Sequence, residues 1–198
     1  MARSKKSPAE RRDLFWSIFK EILGAIALAF VIRAFLLIPI PVHGNSMSPT
    51  LRQGDYLIME KMSAIRRFDV VVFRGNDGMI LVKRVVALPG EEVAYRQDQL
   101  LVDGKQINEP FLKKKKVNGI PFTGDFDLKE IAHQAQLKND EYFVLGDNRH
   151  LSKDSRSFGP IKAQSIIGKA HFVYFPVKDI HWIATSSINL PAKQAIRK

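Results

Sequence analysis

Apolar and polar positions divide the chain into two unlike parts. Residues 1–13 are polar and carry Arg3, Lys5, Lys6, Arg11 and Arg12. Residues 14–40 are apolar, with Phe15 and Trp16 at the start and Pro39 near the end. A helix needs about 20 apolar residues to cross a bilayer. Residues 16–38 suffice if Lys20 and Glu21 lie near the inner head groups and Arg33 snorkels outward at the far end. The basic flank comes first, so the positive-inside rule keeps the N-terminus in the cytoplasm and places everything after Pro39 outside. Two other readings compete. A cleaved leader would end near Ala27-Leu28-Ala29, but the apolar run continues to Ile38. A core helix would show one apolar face, and here the apolar positions go all round. The chain then reads as a cytoplasmic tail (1–15), a transmembrane helix (16–38) and an extracytoplasmic domain (39–198) in the plasma membrane.

Beyond Asp55 the period changes to that of strands. Short β-rich runs at 56–59, 70–73, 79–88, 92–95, 99–102, 142–145 and 166–175 are broken by turn signals. Gly75-Asn76-Asp77-Gly78 and Asp103-Gly104 predict hairpin loops, and Pro89-Gly90 a turn. Residues 110–139 are less periodic and contain four consecutive lysines, 113–116. They read as an inserted region on the surface of the β core, with the lysines solvated. The predicted fold is mainly β: an antiparallel sheet domain with a surface insertion, behind one N-terminal helix.

Composition narrows the chemistry. With 198 residues, 45% of them hydrophobic, the chain can bury a core. Its net charge of +11 favours anionic neighbours. The absence of cysteine excludes disulfides, thiolate-zinc sites and a cysteine nucleophile. No ligand cluster or phosphate loop implies a metal or other cofactor.

Three segments carry candidate chemistry. In Gly44-Asn45-Ser46-Met47-Ser48-Pro49-Thr50-Leu51, Gly44 and Asn45 permit unusual backbone angles and Pro49 stops a ladder, so Ser46 projects from an irregular segment. Taken alone, the same residues fit an ordinary turn. In the strand 79–88, Lys83 shares a face with Leu81 and Val85, and Arg84 shares the other with Val82 and Val86. Either the strand ends there and both cations reach water, or at least one sits among apolar groups. Arginine stays charged and cannot be a base. A desolvated lysine has a lowered pKa, and its neutral amine can take a proton from a serine hydroxyl, pairing Ser46 with Lys83. The loop 146–159 holds Asp147, Asn148, Arg149, Asp154 and Arg156, and its acids and arginines can lock it, most simply with Asp154 paired to Arg149 or Arg156. Ser152 in that loop could hydrogen-bond the lysine amine.

In this order behind an apolar N-terminal run, the segments resemble type I signal peptidase, the bacterial leader peptidase that removes signal peptides from exported preproteins. The matching residues are 44–51, Gly54-Asp55, Lys83-Arg84-Val85 with Leu88-Pro89-Gly90-Glu91, Gly146-Asp147-Asn148-Arg149, Ser152, Asp154-Ser155-Arg156 and Gly159. The resemblance implies a serine endopeptidase with Ser46 as nucleophile, Lys83 as general base and Ser152 orienting the lysine. It also implies cleavage after a small-x-small site, with signal peptides as partners. Membrane lipid is the other expected partner, nucleic acid is not expected, and the chain is expected to be a monomer. Val42, Gly44, Met47, Leu51, Leu81 and Val82 are candidates for binding substrate. Some members carry a serine where Gly44 stands, and many carry Asp or Asn at His150 and Leu151. Gly44 and the modest size resemble the single-span Gram-positive form.

Rival readings make distinct demands. A Ser-His-Asp triad would use His150 with Asp147 or Asp154. A membrane-anchored protein could capture exported peptides without cutting them. A basic anchored module for wall polymer or nucleic acid would bind with steep salt dependence.

Overall fold

The computed structural model describes residues 8–35, 38–61, 63–112 and 122–185, so the lysines at 113–116 lie outside the described residues. Two compact units divide the chain, 1–38 and 39–198. The first contains helix α1 (Pro8–Phe35), 28 residues or about 42 Å of helix. Leu14, Phe15, Trp16, Ile18, Ile22 and Ile26 on it are all exposed. Among the described residues no helix is long and apolar enough to cross a membrane. The span expected over 16–38 is therefore not found there: Lys20 and Glu21 interrupt the apolar run, and the side chains of 29–38 lie outside the described residues.

The second unit is built from antiparallel sheets, as the alternating runs predict. In chain order its strands are β1 (Ile38–Pro41), β2 (Tyr56–Glu60), β3 (Val70–Arg74), β4 (Ile80–Ala87), β5 (Val93–Arg96), β6 (Gln99–Val102), β7 (Lys105–Ile107) and β8 (Phe126–Asp127). After the short helix α2 (Leu128–Ala132) come β9 (Glu141–Leu145), helix α3 (Ser155–Phe158), β10 (Ile161–Lys162), β11 (Ile166–Phe175) and β12 (His181–Trp182). The larger sheet has the order β1-β2-β11-β3-β4-β9-β10, with β12 added on β11; the smaller has the order β7-β6-β5-β8.

Turn chemistry sets the hairpins. The β3–β4 loop closes where Gly75 N donates to Met79 O at 2.8 Å. Asp103 and Gly104 both take positive φ between β6 and β7, the two-residue turn that matches strand twist. Gln97 and Asp98 do the same between β5 and β6, without a glycine to signal it.

β4 carries the functional argument. It is buried on both faces from Lys83 to Ala87. Val85 belongs to an apolar cluster with Val71, Phe73, Val144 and Ile161. Val86 belongs to another, in which the smaller sheet's Val93, Tyr95 and Leu100 pack with Phe143 and Leu145 of β9. Alternation therefore sends Lys83 and Arg84 toward different surroundings, and neither reaches water, with exposures of 3% and 0%.

Residues 110–139 differ from the surface insertion expected of them. Phe126 on β8, Leu128 on α2 and Leu137 are buried in the cluster between the sheets. Leu128, Ile131 and Ala132 stand at helical spacing, but α2 is only five residues long and β8 only two, too short for either period to stand out in the sequence.

Candidate active site

The serine loop is held at both ends. Val42 N donates to Asp55 O at 2.8 Å and Gly54 N to Val42 O at 3.1 Å, pinching 42–55 into a closed excursion. Within it Leu51 N donates to Met47 O, and Met47 and Leu51 are buried at 2% and 0% exposure. Gly44 has φ +78, a left-handed conformation that a side chain would strain. The excursion leaves Ser46 partly exposed while its neighbours anchor it.

Ser46 Oγ lies 2.7 Å from Lys83 Nζ, within hydrogen-bonding distance. The same nitrogen donates to Val82 O at 3.1 Å. Burial lowers the Lys83 pKa below the ordinary lysine value, while the carboxylates of Asp154 and Asp147 partly oppose the shift. Each of those carboxylates is itself held by an arginine. Asp147 accepts two hydrogen bonds from Arg84, at 2.8 and 2.7 Å. Asp154 accepts from Arg156 Nε and Nη2, both at 2.8 Å. Their negative charge is largely satisfied elsewhere, so desolvation dominates at the amine.

Arg84 is the inner partner of this arrangement. Besides Asp147, its Nη1 donates to Phe68 O and Ala184 O, both at 2.8 Å. Its guanidinium lies 4.0 Å from the Phe111 ring centroid. The loop after β9 is in turn sewn to the serine loop. Thr50 Oγ1 donates to Asp147 Oδ2 at 2.5 Å, and Asn148 N donates to Ser46 O at 3.0 Å. Asn148 Nδ2 also reaches Asn45 O at 3.2 Å. Asp154 caps α3 and accepts from Gly146 N at 3.0 Å, fixing the base of the loop.

Beside Ser46 and Lys83 opens a groove of about 730 Å³. Phe73, Leu81, Phe158 and Ile161 give it apolar walls, and Gly44 also lines it. Of the residues expected to bind substrate, Gly44 and Leu81 are placed there. Val42, Met47 and Leu51 are corrected: none of them lines the groove, and all three are buried and pin the serine loop from inside. Val82 does not line the groove either; it sits opposite Val72 in the β3–β4 ladder. Phe73, Phe158 and Ile161 were missed because β3 and the α3–β10 stretch, far apart in sequence, meet only in the fold.

The loop residues also sort out. Asp154 pairs with Arg156 as one of the expected alternatives. Arg149 pairs with Glu109 instead, and Asp147 with Arg84. Ser152 Oγ is buried and without a hydrogen-bond partner among the described residues, so the expected bond to Lys83 is not formed in this structure. His150 is exposed, with its ring edge-on to Phe122. With Ser46 Oγ against Lys83, and both candidate aspartates taken by arginines, the histidine triad has no geometric support.

Comparison with known proteins identifies the family. Residues 15–175 match the family described as signal peptidase, peptidase S26. Signal peptidase I V of Bacillus subtilis is 44% identical over 160 residues, covering 78% of this chain and 94% of the relative. Signal peptidase I of Bacillus caldolyticus is 42% identical over 175 residues, covering 85% and 94%. A crystal structure of a signal peptidase I from Enterococcus faecalis aligns with TM-score 0.52 at 37% identity, covering 54% of this chain and 97% of that one. With a family match over most of its length, and relatives above 40% identity, the chain belongs to the signal peptidase family of serine endopeptidases, peptidase S26.

Proposed function

We propose that the protein removes signal peptides from exported preproteins by a Ser46–Lys83 dyad. The observation that carries this reading is the 2.7 Å approach of Ser46 Oγ to a lysine amine buried at 3% exposure. An extended preprotein segment lies in the groove, adding its backbone beside the serine loop. Small side chains at the first and third positions before the scissile bond meet the apolar walls at Phe73, Leu81, Phe158 and Ile161. Ser46 Oγ attacks the carbonyl carbon while its proton passes to the neutral Lys83 amine. The C–N bond then breaks, the leaving amine takes the proton from the Lys83 ammonium, and an acyl-enzyme remains. Water attacks the ester with Lys83 again as base, which releases the signal peptide. Gly44 offers no hydroxyl to the developing oxyanion, so the backbone N–H of Ser46 is its first donor.

The apolar run 16–38, most of it on α1, anchors the protein to the membrane, with the basic residues before it on the cytoplasmic side and residues 39–198 outside. Support comes from the exposed apolar side chains along that helix and the basic residues before it. One experiment tests both parts. Membranes from expressing cells, washed in alkaline carbonate, are incubated with a purified preprotein, and the product's N-terminus is sequenced. Cutting after a small-x-small site, abolished by phenylalanine at the last position before the cut, is the expected result. Binding without cutting would leave a capture protein in place of the peptidase. Activity released into the wash would contradict the anchor.

A further inference from the structure

Arg149 belongs to the loop that touches Ser46, yet its side chain points away from the groove and into the smaller sheet. It is buried at 3% exposure, and every donor nitrogen is occupied. Nε donates to Gly146 O at 3.0 Å, closing the loop on itself. Nη1 donates to Tyr95 Oη at 3.0 Å and Thr123 Oγ1 at 3.1 Å. Nη2 forms a short ion pair with Glu109 Oε1. The other oxygen of Glu109 accepts from Tyr95 Oη at 2.6 Å. Tyr95, Glu109 and Thr123 are each at most 2% exposed. Burial raises the Tyr95 pKa, and the Glu109 carboxylate adds to it, so the phenol stays protonated and keeps donating.

This cluster faces the back of the loop whose front meets the nucleophile. Asn148 N donates to Ser46 O, and a Cβ built on Gly146 would lie 2.5 Å from that same oxygen. Between Glu109 and Ser46 there is thus one short rigid link, Arg149 and the backbone of 146–148. Glu109 and Tyr95 lie outside the serine loop, the lysine strand and the 146–159 loop. A carboxylate buried only to stabilise would gain little, since apolar residues of similar volume often serve as well as a buried ion pair. What the planar guanidinium fork adds is a fixed direction.

We propose that Glu109 and Tyr95 are positioning residues for the peptidase reaction, holding the Gly146–Asn148 backbone, and through it Ser46, by way of Arg149. The inference rests on the Ser46–Lys83 reading above. Its test compares wild type, Ser46→Ala, Glu109→Gln, Tyr95→Phe and the double variant Glu109→Leu with Arg149→Leu, cutting one preprotein in detergent, with thermal midpoints recorded. Wild-type cutting lost in Ser46→Ala establishes the assay, and failure there strikes the peptidase reading alone. Loss of position by an ångström costs about 10²-fold in rate. Glu109→Gln and the double variant should each lower kcat about 10²-fold with KM changed by less than about 3-fold. The double variant leaves no unpaired buried charge, although Gly146 O, Tyr95 Oη and Thr123 Oγ1 each lose the bond from Arg149, so its thermal midpoint should fall less than that of Glu109→Gln while it remains as slow. A double variant with wild-type kcat overturns the proposal, as does a loss confined to KM or one that tracks the unfolded fraction. If neither Glu109 variant folds, Tyr95→Phe decides: a kcat loss of about 3-fold or more supports positioning, and a smaller one overturns it.

Discussion

Lys83→Ala is expected to lower preprotein cleavage by about 10³–10⁴-fold with little change in KM, because it removes the proton acceptor and leaves the groove intact. Lys83→Arg should not rescue it, since a guanidinium does not give up its proton in this range. In the wild type, activity should rise with pH as the Lys83 ammonium loses its proton. Burial lowers that pKa, so the rise must fall below the ordinary lysine value of about 10.4. A limb at or above about 10.4 would contradict Lys83 as a desolvated base. The same shift has a stability consequence. Between the lowered folded value and the unfolded value, the unfolded chain binds more protons, so stability rises with pH through that window. Below it the full cost of burying an ammonium is present. Lys83→Met should therefore be inactive but more stable near neutral pH by about 0.5–2 kcal/mol, a gain that shrinks as pH approaches about 10.4. Thermal unfolding across a pH series reads both features.

Gly146→Ala is expected to disable the site without altering either reacting side chain. A Cβ there would lie 2.2 Å from Ser152 Oγ and 2.5 Å from Ser46 O. Ser152 Oγ could rotate away, but Ser152 Cβ, also at 2.5 Å, does not move with that rotation, and the carbonyl belongs to the nucleophile's own backbone and can yield only by moving the serine loop. That loop is pinned by Met47, Leu51 and the Thr50–Asp147 hydrogen bond. A displacement of about 1 Å lowers the rate on the order of 10²-fold, and strain of this kind in a packed region costs about 1–3 kcal/mol. Cleavage rates and denaturant midpoints of Gly146→Ala and Gly44→Ala would separate the two glycines. Gly44 has no neighbour within 4 Å of a built Cβ, so its penalty comes from its positive φ alone. Near-wild-type cutting by Gly146→Ala would mean that the contact with Ser46 O does not hold the nucleophile.

What was legible in the sequence follows the range of each interaction. Alternation along β4 is local, so two consecutive cations between apolar residues already posed the choice between a strand end in water and a buried cation. Both cations are buried. The hairpin at Asp103-Gly104 is local too, and it formed where the dipeptide stands. Partner choice is not local. The residues 146–159 showed that acids and arginines would pair, but only the register of β4 against β9, with Arg84 opposite Leu145, brings Asp147 to Arg84. Arg149 was then left for Glu109, a residue in no recognisable segment. Apolar residues beside a nucleophile serve equally as pocket wall or as anchor, and Val42, Met47 and Leu51 proved to be anchors. The groove walls Phe73, Phe158 and Ile161 needed two strands and a helix to meet before they could be seen. The resemblance supplied a role for Ser152 that the geometry does not display, since its hydroxyl has no partner among the described residues.

The central claim, that Ser46 attacks and Lys83 takes its proton, is tested most directly by covalent capture. A peptide phosphonate with alanine at its reacting end is mixed with the protein in detergent, and the digest is analysed by mass spectrometry over time. The account predicts an adduct on the peptide containing Ser46, none with Ser46→Ala, and formation slowed by about 10²-fold or more with Lys83→Ala. An adduct on another residue, or one forming on Ser46 equally fast without Lys83, would contradict it.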